Sequence, residues 1–325
     1  MKRRVFLSAA AALAVTLPLT LGTTALQAQS KELVYITPSL NVSFWRYVAT
    51  GVEAAAEAEG YSLQTLDSNN DGQTQLKNVQ DAITRGVAGI VISPTDSSTA
   101  PSALDLAEKA GIPVTIADIG TTGGNYISFV ASDNLGGARG IGDALGAALK
   151  EKGWTDGSYG IIAIPQTRIN GQLRTQGFRD AMKAAGMTKE APMQQMQTFT
   201  ADESFRFAQN MLTANPDLRA IFIQSDQQSI GALRAVQAAR KSDSVLVAAF
   251  DGTPELFELI VKGDIIGSGM QQPYLMGFRA GEALIEHLNG GTPDKEIVVP
   301  ILIGTTANAE AMLDEIKLNV FAGEM

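Results

Sequence analysis

From Leu33 onward, short and wholly apolar runs alternate with longer segments that are apolar on one face only. This rhythm is what most limits the fold. Leu33-Val34-Tyr35-Ile36, Gly89-Ile90-Val91-Ile92 and Pro113 to Ala117 read as strands. A run with no polar alternation fits a strand buried on both faces, as in a parallel sheet. Between them, Phe44 to Glu59, Gln73 to Arg85 and Thr99 to Ala110 carry apolar residues at helical spacing, and Gly60 stands where the first helix would stop. After Asp133 the pattern restarts. Helix Leu135 to Lys150 precedes strand Tyr159 to Ile164, then helix Leu173 to Ala185, strand Met193 to Phe199, helix Glu203 to Thr213, strand Ala220 to Ile223, helix Ser229 to Ala239 and strand Val245 to Phe250. Two series of strand–helix units predict an α/β chain of two lobes, each a parallel sheet flanked by helices.

The end of the chain is ordered differently: strand Ile265 to Ser268, helix Pro273 to Leu288, strand Ile297 to Ile303 and helix Ala309 to Lys317. One strand–helix pair returning to the first lobe makes three crossings, near Ala131, Gln271 and Pro300. The expected organisation is residues 31–131 plus 272–300 in an N-terminal lobe and 132–270 plus 301–325 in a C-terminal lobe. The lobes are joined by a three-stranded hinge with a ligand cleft between them.

The segment 1–28 reads as a signal peptide. Lys2, Arg3 and Arg4 precede an apolar stretch from Val5 to about Leu21, and small residues end it before Gln29. Pro18 and Gly22 interrupt the stretch, which is marginal for a span of about 20 residues. Lys2 to Ser8 also resembles a twin-arginine export signal, leaving the route open. With 325 residues, no cysteine and a formal charge of −9, the chain is expected to be a soluble, monomeric periplasmic protein. Removal of Lys2, Arg3 and Arg4 takes the charge to −12, because residues 1–28 hold no Asp or Glu. Such a surface repels phosphate backbones, so nucleic acid is not an expected partner.

In open parallel sheets, ligands bind beyond the carboxyl ends of the strands. There the sequence places Thr37 to Asn41 with Phe44-Trp45, Ser93 to Asp96, Asp118-Ile119, then Arg168, Asn170, Gln172 and Arg174, Gln224 to Asp226, Asp251 to Pro254, and Gln271. Carboxylates accept from hydroxyls, arginine donates to them, and aromatic faces cover the C–H faces of a sugar ring. The set suits a small neutral polyol. Gly140-Ile141-Gly142 and Gly146 hint at a nucleotide-binding run but sit inside a helix rather than in a strand-to-helix turn. A single histidine, His287, and no cysteine leave little for zinc or Ser–His chemistry, so neither a metal nor a cofactor nor a catalytic residue is expected. Paired carboxylates for glycoside cleavage remain open on spacing alone.

Asn41-Val42-Ser43-Phe44-Trp45, Leu66-Asp67-Ser68, Asn78-Val79-Gln80-Asp81, Ser93-Pro94-Thr95-Asp96-Ser97, Ala131-Ser132-Asp133-Asn134, Gly231-Ala232-Leu233-Arg234-Ala235 and Phe250-Asp251-Gly252-Thr253-Pro254 resemble the ribose-binding branch of the periplasmic sugar-binding proteins, from about Leu33 to Asn308. The resemblance implies ligand contacts from Asn41, Phe44, Trp45, Ser93, Asp118, Arg174, Phe199, Ser225, Asp251 and Gln271. It also implies delivery of the ligand to an ABC-transporter permease. The departures are Ile119, where the ribose binders carry arginine, and Val42, Ser93 and Ser225, where they carry asparagine. Each missing donor leaves a hydroxyl of ribose unmet, at about 1–3 kcal/mol, so the expected cargo is a small sugar or sugar alcohol other than ribose. The alternatives are a binding protein that presents a sugar-like signal to a chemoreceptor or sensor kinase, and a periplasmic carbohydrate-active enzyme.

Overall fold

The computed structural model describes Met1 and residues 31–324. Apart from Met1, the expected signal segment lies outside them. The first lobe is built from β1 (Glu32–Thr37), α1 (Ser43–Ala58), β2 (Ser62–Asp67), α2 (Gly72–Arg85), β3 (Gly89–Ile92), α3 (Ala100–Lys109), β4 (Val114–Ala117) and β5 (Phe129–Ser132). The second comprises α4 (Asn134–Glu151), β6 (Ser158–Ala163), α5 (Ile169–Ala185), β7 (Lys189–Glu190), β8 (Gln194–Gln195), α6 (Ala201–Ala214), β9 (Leu218–Ile223), α7 (Asp226–Ala238), β10 (Leu246–Phe250), α8 (Pro254–Lys262) and β11 (Gly267–Met270). Then come α9 (Pro273–Leu288), β12 (Glu296–Val299) and β13 (Leu302–Thr305).

The first sheet has the order β12-β5-β4-β3-β1-β2 and is parallel throughout. Strands β1, β3 and β4, whose apolar runs do not alternate, are buried almost throughout, while β2 alternates and lies at the edge. The second sheet runs β13-β11-β10-β9-β6-β7, with β8 also on β6, and only the β11–β13 pair is antiparallel. The chain passes between the sheets three times, at Asp133, at Gln271-Gln272 and at Pro300-Ile301. In both sheets the strand order reverses beside a long central strand, at β1/β3 and β6/β9, and that reversal opens a crevice at the carboxyl ends.

Glycines bring one helix pair in each lobe close together. A Cβ on Gly277 would stand 2.0 Å from the Val48 carbonyl oxygen where α9 meets α1. One on Gly142 would stand 2.6 Å from the Ala181 Cβ where α4 meets α5. The run Gly140-Ile141-Gly142 is therefore a packing face, in keeping with its place inside a helix.

Three expectations need correction, and one helix was not foreseen. Residues 193–199 do not form one strand; only Gln194–Gln195 pairs with β6. The Glu203 carboxylate takes the backbone N–H groups of Gln197, Thr198 and Phe199 (2.9–3.0 Å), which removes them from any ladder. Residues 297–303 split at Pro300, which has no N–H to pair, so β12 and β13 belong to different sheets. The last helix is instead a succession of short turns, 3₁₀ at Glu310–Met312, α at Leu313–Glu315 and π at Ile316–Val320, ending where fully buried Phe321 packs on Phe257. Helix α8, absent from the sequence reading, starts at Thr253, whose hydroxyl accepts from the Leu256 N–H, with Pro254 in the first turn.

Candidate functional site

The strand ends of the two sheets face each other across a cleft of about 730 Å³. The first lobe supplies Ser39, Asn41, Val42, Phe44, Trp45, Asn69, Asn70 and Asp118. The second supplies Ile164, Arg168, Asn170, Arg174, the segment Gln197 to Ala201, Ser225, Gln227 and Asp251, and Gln271 stands at the hinge. Phe44 and Trp45 lie edge to face, 4.8 Å between ring centroids, in the first turn of α1. Phe199 faces them from the second lobe. It has a left-handed backbone (φ 53°) held by the three N–H bonds to Glu203, itself positioned by the Thr200 cap of α6.

The second lobe's half is organised around Arg174, 2% exposed, whose guanidinium carbon stands 4.1 Å from the centre of the Phe250 ring. Its Nε donates to Asn134 Oδ1 (2.7 Å), and its Nη1 donates to the Gln224 carbonyl (2.9 Å) and to Asp251 Oδ2 (3.2 Å). Gln271 Nε2 donates to Asp251 Oδ1 (2.7 Å). Burial pushes the Asp251 carboxyl up, against the pull of the Arg174 cation and the bond from Gln271. Asp226, behind Ser225, is pushed up to about 7 by burial and by the Asp251 charge.

In the first lobe, Asp118 comes directly after β4 and is 3% exposed. Burial raises its carboxyl to about 6 despite the nearby Arg174 cation. Its Oδ2 accepts from Asn170 Nδ2 of the opposite lobe (3.0 Å). Its Oδ1 is buried with no hydrogen-bond partner, and so is Gln271 Oε1. Buried polar atoms are nearly always partnered, so two unmet acceptors on cleft-lining residues mark places for donors. Arg168 also spans the cleft: its Nε donates to the Thr95 carbonyl (3.0 Å) and its Nη2 to Asn70 Oδ1 (2.8 Å).

Nine of the ten residues singled out in the sequence line this cleft: Asn41, Phe44, Trp45, Asp118, Arg174, Phe199, Ser225, Asp251 and Gln271. Ser93 does not. It is fully buried, its hydroxyl pairs with the Tyr35 hydroxyl (3.0 Å), and its carbonyl accepts from Gln75 Nε2, so its polar groups are engaged away from the cleft lining. Ile119, fully buried in the first core, is also absent from the lining. Asn69, Asn70, Arg168 and Asn170 line the cleft and were not among the ten. The strand-end rule that found Asp118 and Asp251 applies equally to Asn69-Asn70, two residues past β2. Among the described residues no group of three or more His, Cys, Asp or Glu is arranged to hold a metal, and no helix is long and apolar enough to cross a membrane.

Two sheets of like design closing on one polar cleft with aromatic walls define a clamp-type ligand-binding protein. The chain belongs to the periplasmic binding protein family, whose domain it matches over residues 33–292. It is 35% identical to the ribose import binding protein of Escherichia coli K12 over 277 residues, 85% of this chain and 90% of that one. It is 32% identical to a D-apiose import binding protein of Paraburkholderia graminis over 310 residues, 94% of this chain and 95% of that one. Among solved structures it resembles a carbohydrate transporter solute-binding protein of Agrobacterium radiobacter in complex with D-arabinose. That match has a TM-score of 0.81 and 24% identity, covering 90% of this chain and 99% of that one.

Proposed function

We propose that this protein is the exported solute-binding component of an ABC importer. It encloses one small neutral sugar or sugar alcohol other than ribose between two closing lobes, delivers it to the membrane permease, and performs no chemistry on it. The observation that carries the reading is the pair of unmet buried acceptors, Asp118 Oδ1 and Gln271 Oε1, in a cleft walled by Phe44, Trp45 and Phe199. Acceptors of this kind call for hydroxyl donors, and a carboxylate or phosphate on the ligand would meet Asp118 and Asp251 with like charge. The names of the relatives, import binding proteins for ribose and for D-apiose, support the sugar class, and the periplasmic binding protein domain supports the periplasmic setting. The inward burial of Ile119 and the engagement of Ser93 by Tyr35 support a ligand other than ribose, because neither residue offers the cleft a donor.

A thermal-shift screen of the mature protein against D-ribose, D-apiose, D-allose, D-arabinose, tetroses, sugar alcohols and myo-inositol tests this. A ligand that binds only the folded state raises Tm by mass action. The expected result is a large shift with one neutral polyol and a small one with D-ribose. No shift with any of them sinks the sugar reading, and a dominant shift with D-ribose sinks the exclusion of ribose.

A further inference from the structure

Three consecutive residues at the start of α5 reach across the cleft. Arg168 bonds to Asn70 and to the Thr95 carbonyl, the Ile169 N–H donates to Ser97 Oγ (3.2 Å), and Asn170 bonds to Asp118. All four acceptors belong to the first lobe and all donors to the second. The first turn of a helix has N–H groups that its own backbone cannot satisfy, and the N-cap side chain normally accepts from one of them. Here the N-cap is Arg168, which has no acceptor, and no side-chain cap bond is made. Ser97 of the other lobe takes the first of these donors instead. The start of α5 is therefore completed only when the lobes are together.

Arg168 is 5% exposed, beside the positive end of its own helix, with its guanidinium carbon 5.2 Å from the centre of the Phe199 ring. A buried guanidinium in that position is costly without acceptors, and its two cross-cleft acceptors both come from the first lobe. Asn170 spends its amide N–H on Asp118 Oδ2, and its own Oδ1 accepts from the Gly171 N–H. That leaves Asp118 with one oxygen fixed and the other unmet.

We propose that Arg168, Ile169 and Asn170 form a clasp through which the second lobe locks onto the first around bound ligand, with Asn170 acting as the positioning residue that aims Asp118 Oδ1 at a ligand hydroxyl. The inference rests on the sugar-clamp reading and adds to it residues of the opposite lobe that set how the first-lobe carboxylate is presented. Recognition and closure become one event, because the carboxylate is correctly aimed only when the lobes meet.

The test has two arms. In the first, wild type, Asn170→Ala, Asp118→Ala and the double variant are titrated calorimetrically with D-apiose, D-ribose, D-allose and myo-inositol. For whichever of these wild type binds, Asn170→Ala is expected to weaken binding about tenfold, a difference of about 1.4 kcal/mol, chiefly through faster dissociation. In the Asp118→Ala background it is expected to add almost nothing. Equal losses in both backgrounds overturn the positioning role. In the second arm, spin labels on cysteines introduced at exposed Glu57 and Lys183, in a chain with no native cysteine, report the distance between lobes. Arg168→Ala is expected to shift the distribution to longer distances and Arg168→Lys to restore part of it. An unchanged distribution, with and without sugar, overturns the clasp. If wild type binds none of the four and D-arabinose, the tetroses and the sugar alcohols also give no thermal shift, the sugar reading fails, and the distances in sugar-free protein still judge the clasp.

Discussion

Asp118 and Asp251 hold the same place in the two lobes. Each is the residue immediately after a parallel strand, each is buried, and each has a left-handed backbone, φ 67° and 66°. Among the described residues, seven non-glycine positions have positive φ, and Asn69, Asn70, Asp118, Phe199 and Asp251 of these line the cleft. Left-handed backbone is unfavourable for residues with a Cβ, though least so for Asn and Asp, and strain of this kind collects where geometry serves binding. The turn takes each carboxylate out of line with its strand: Asp118 meets Asn170 of the opposite lobe, and Asp251 meets Arg174 of its own lobe and Gln271 at the hinge.

Replacing Asp118 by glycine removes both the strained Cβ and a buried carboxyl whose ionisation burial opposes. The sugar-free protein is expected to gain about 1 kcal/mol, while the Tm rise produced by its sugar shrinks. Differential scanning calorimetry with and without sugar reads both. A variant that loses stability and keeps the sugar-induced rise contradicts the assignment of Asp118 to the site.

Asp251 is expected to behave in the opposite way, because the Arg174 cation depends on it. Removing one partner of a buried ion pair costs about 3–5 kcal/mol, while removing both charges together costs far less. Urea unfolding should therefore place Asp251→Ala well below wild type in midpoint and the double variant Arg174→Met/Asp251→Asn between them. Neither should bind sugar. If Asp251→Ala unfolds like wild type, the pair contributes nothing to the fold.

The chain has two tryptophans, and they stand in different surroundings. Trp45 is 6% exposed in the cleft wall against Phe44, and Trp154 lies in the second lobe under the cations of Lys152 and Arg219. Sugar binding is expected to change the emission of Trp45 alone. A fluorescence titration should lose its signal in Trp45→Phe and keep it in Trp154→Phe, and the reverse result would remove Trp45 from the site.

The strands were legible where burial on both faces left an unbroken apolar run, as at Gly89 to Ile92 and Val114 to Ala117. The positions just beyond the strand ends then led to Asp118, Ser225, Asp251 and Gln271. Phe199 came only from the resemblance, since its presentation depends on Glu203 taking three backbone N–H groups four to six residues earlier in the chain. Arg168 and Asn170 stood in plain view after β6, but nothing local distinguishes them from neighbouring Gln172. Their partners Asn70, Thr95 and Asp118 lie 50 or more positions away and meet them only across the cleft. Ser93 failed for a similar reason: a small polar residue at a strand end serves a ligand or a buried tyrosine equally well, and Tyr35 took it.

The carboxyls fix how the protein should respond to pH. Asp118 is raised from 3.8 to about 6 and Asp226 from 3.8 to about 7, both chiefly by burial, and Asp251 is raised for the same reason. Across this window the folded state holds protons that the unfolded chain has released, so stability falls as pH rises. The contribution is complete below about 3.8 and is lost as pH passes through about 6 to 7. Sugar-free protein is thus expected to melt at a higher temperature near about pH 5 than near about pH 8. The sugar should act in the other direction, because a hydroxyl donates more strongly to an ionised Asp118 than to a protonated one. The rise in Tm on adding sugar is therefore expected to be larger near about pH 8. Melting curves at both pH values, with and without sugar, measure the two trends. A sugar-induced rise that is equal at both values would mean that Asp118 does not accept from the ligand.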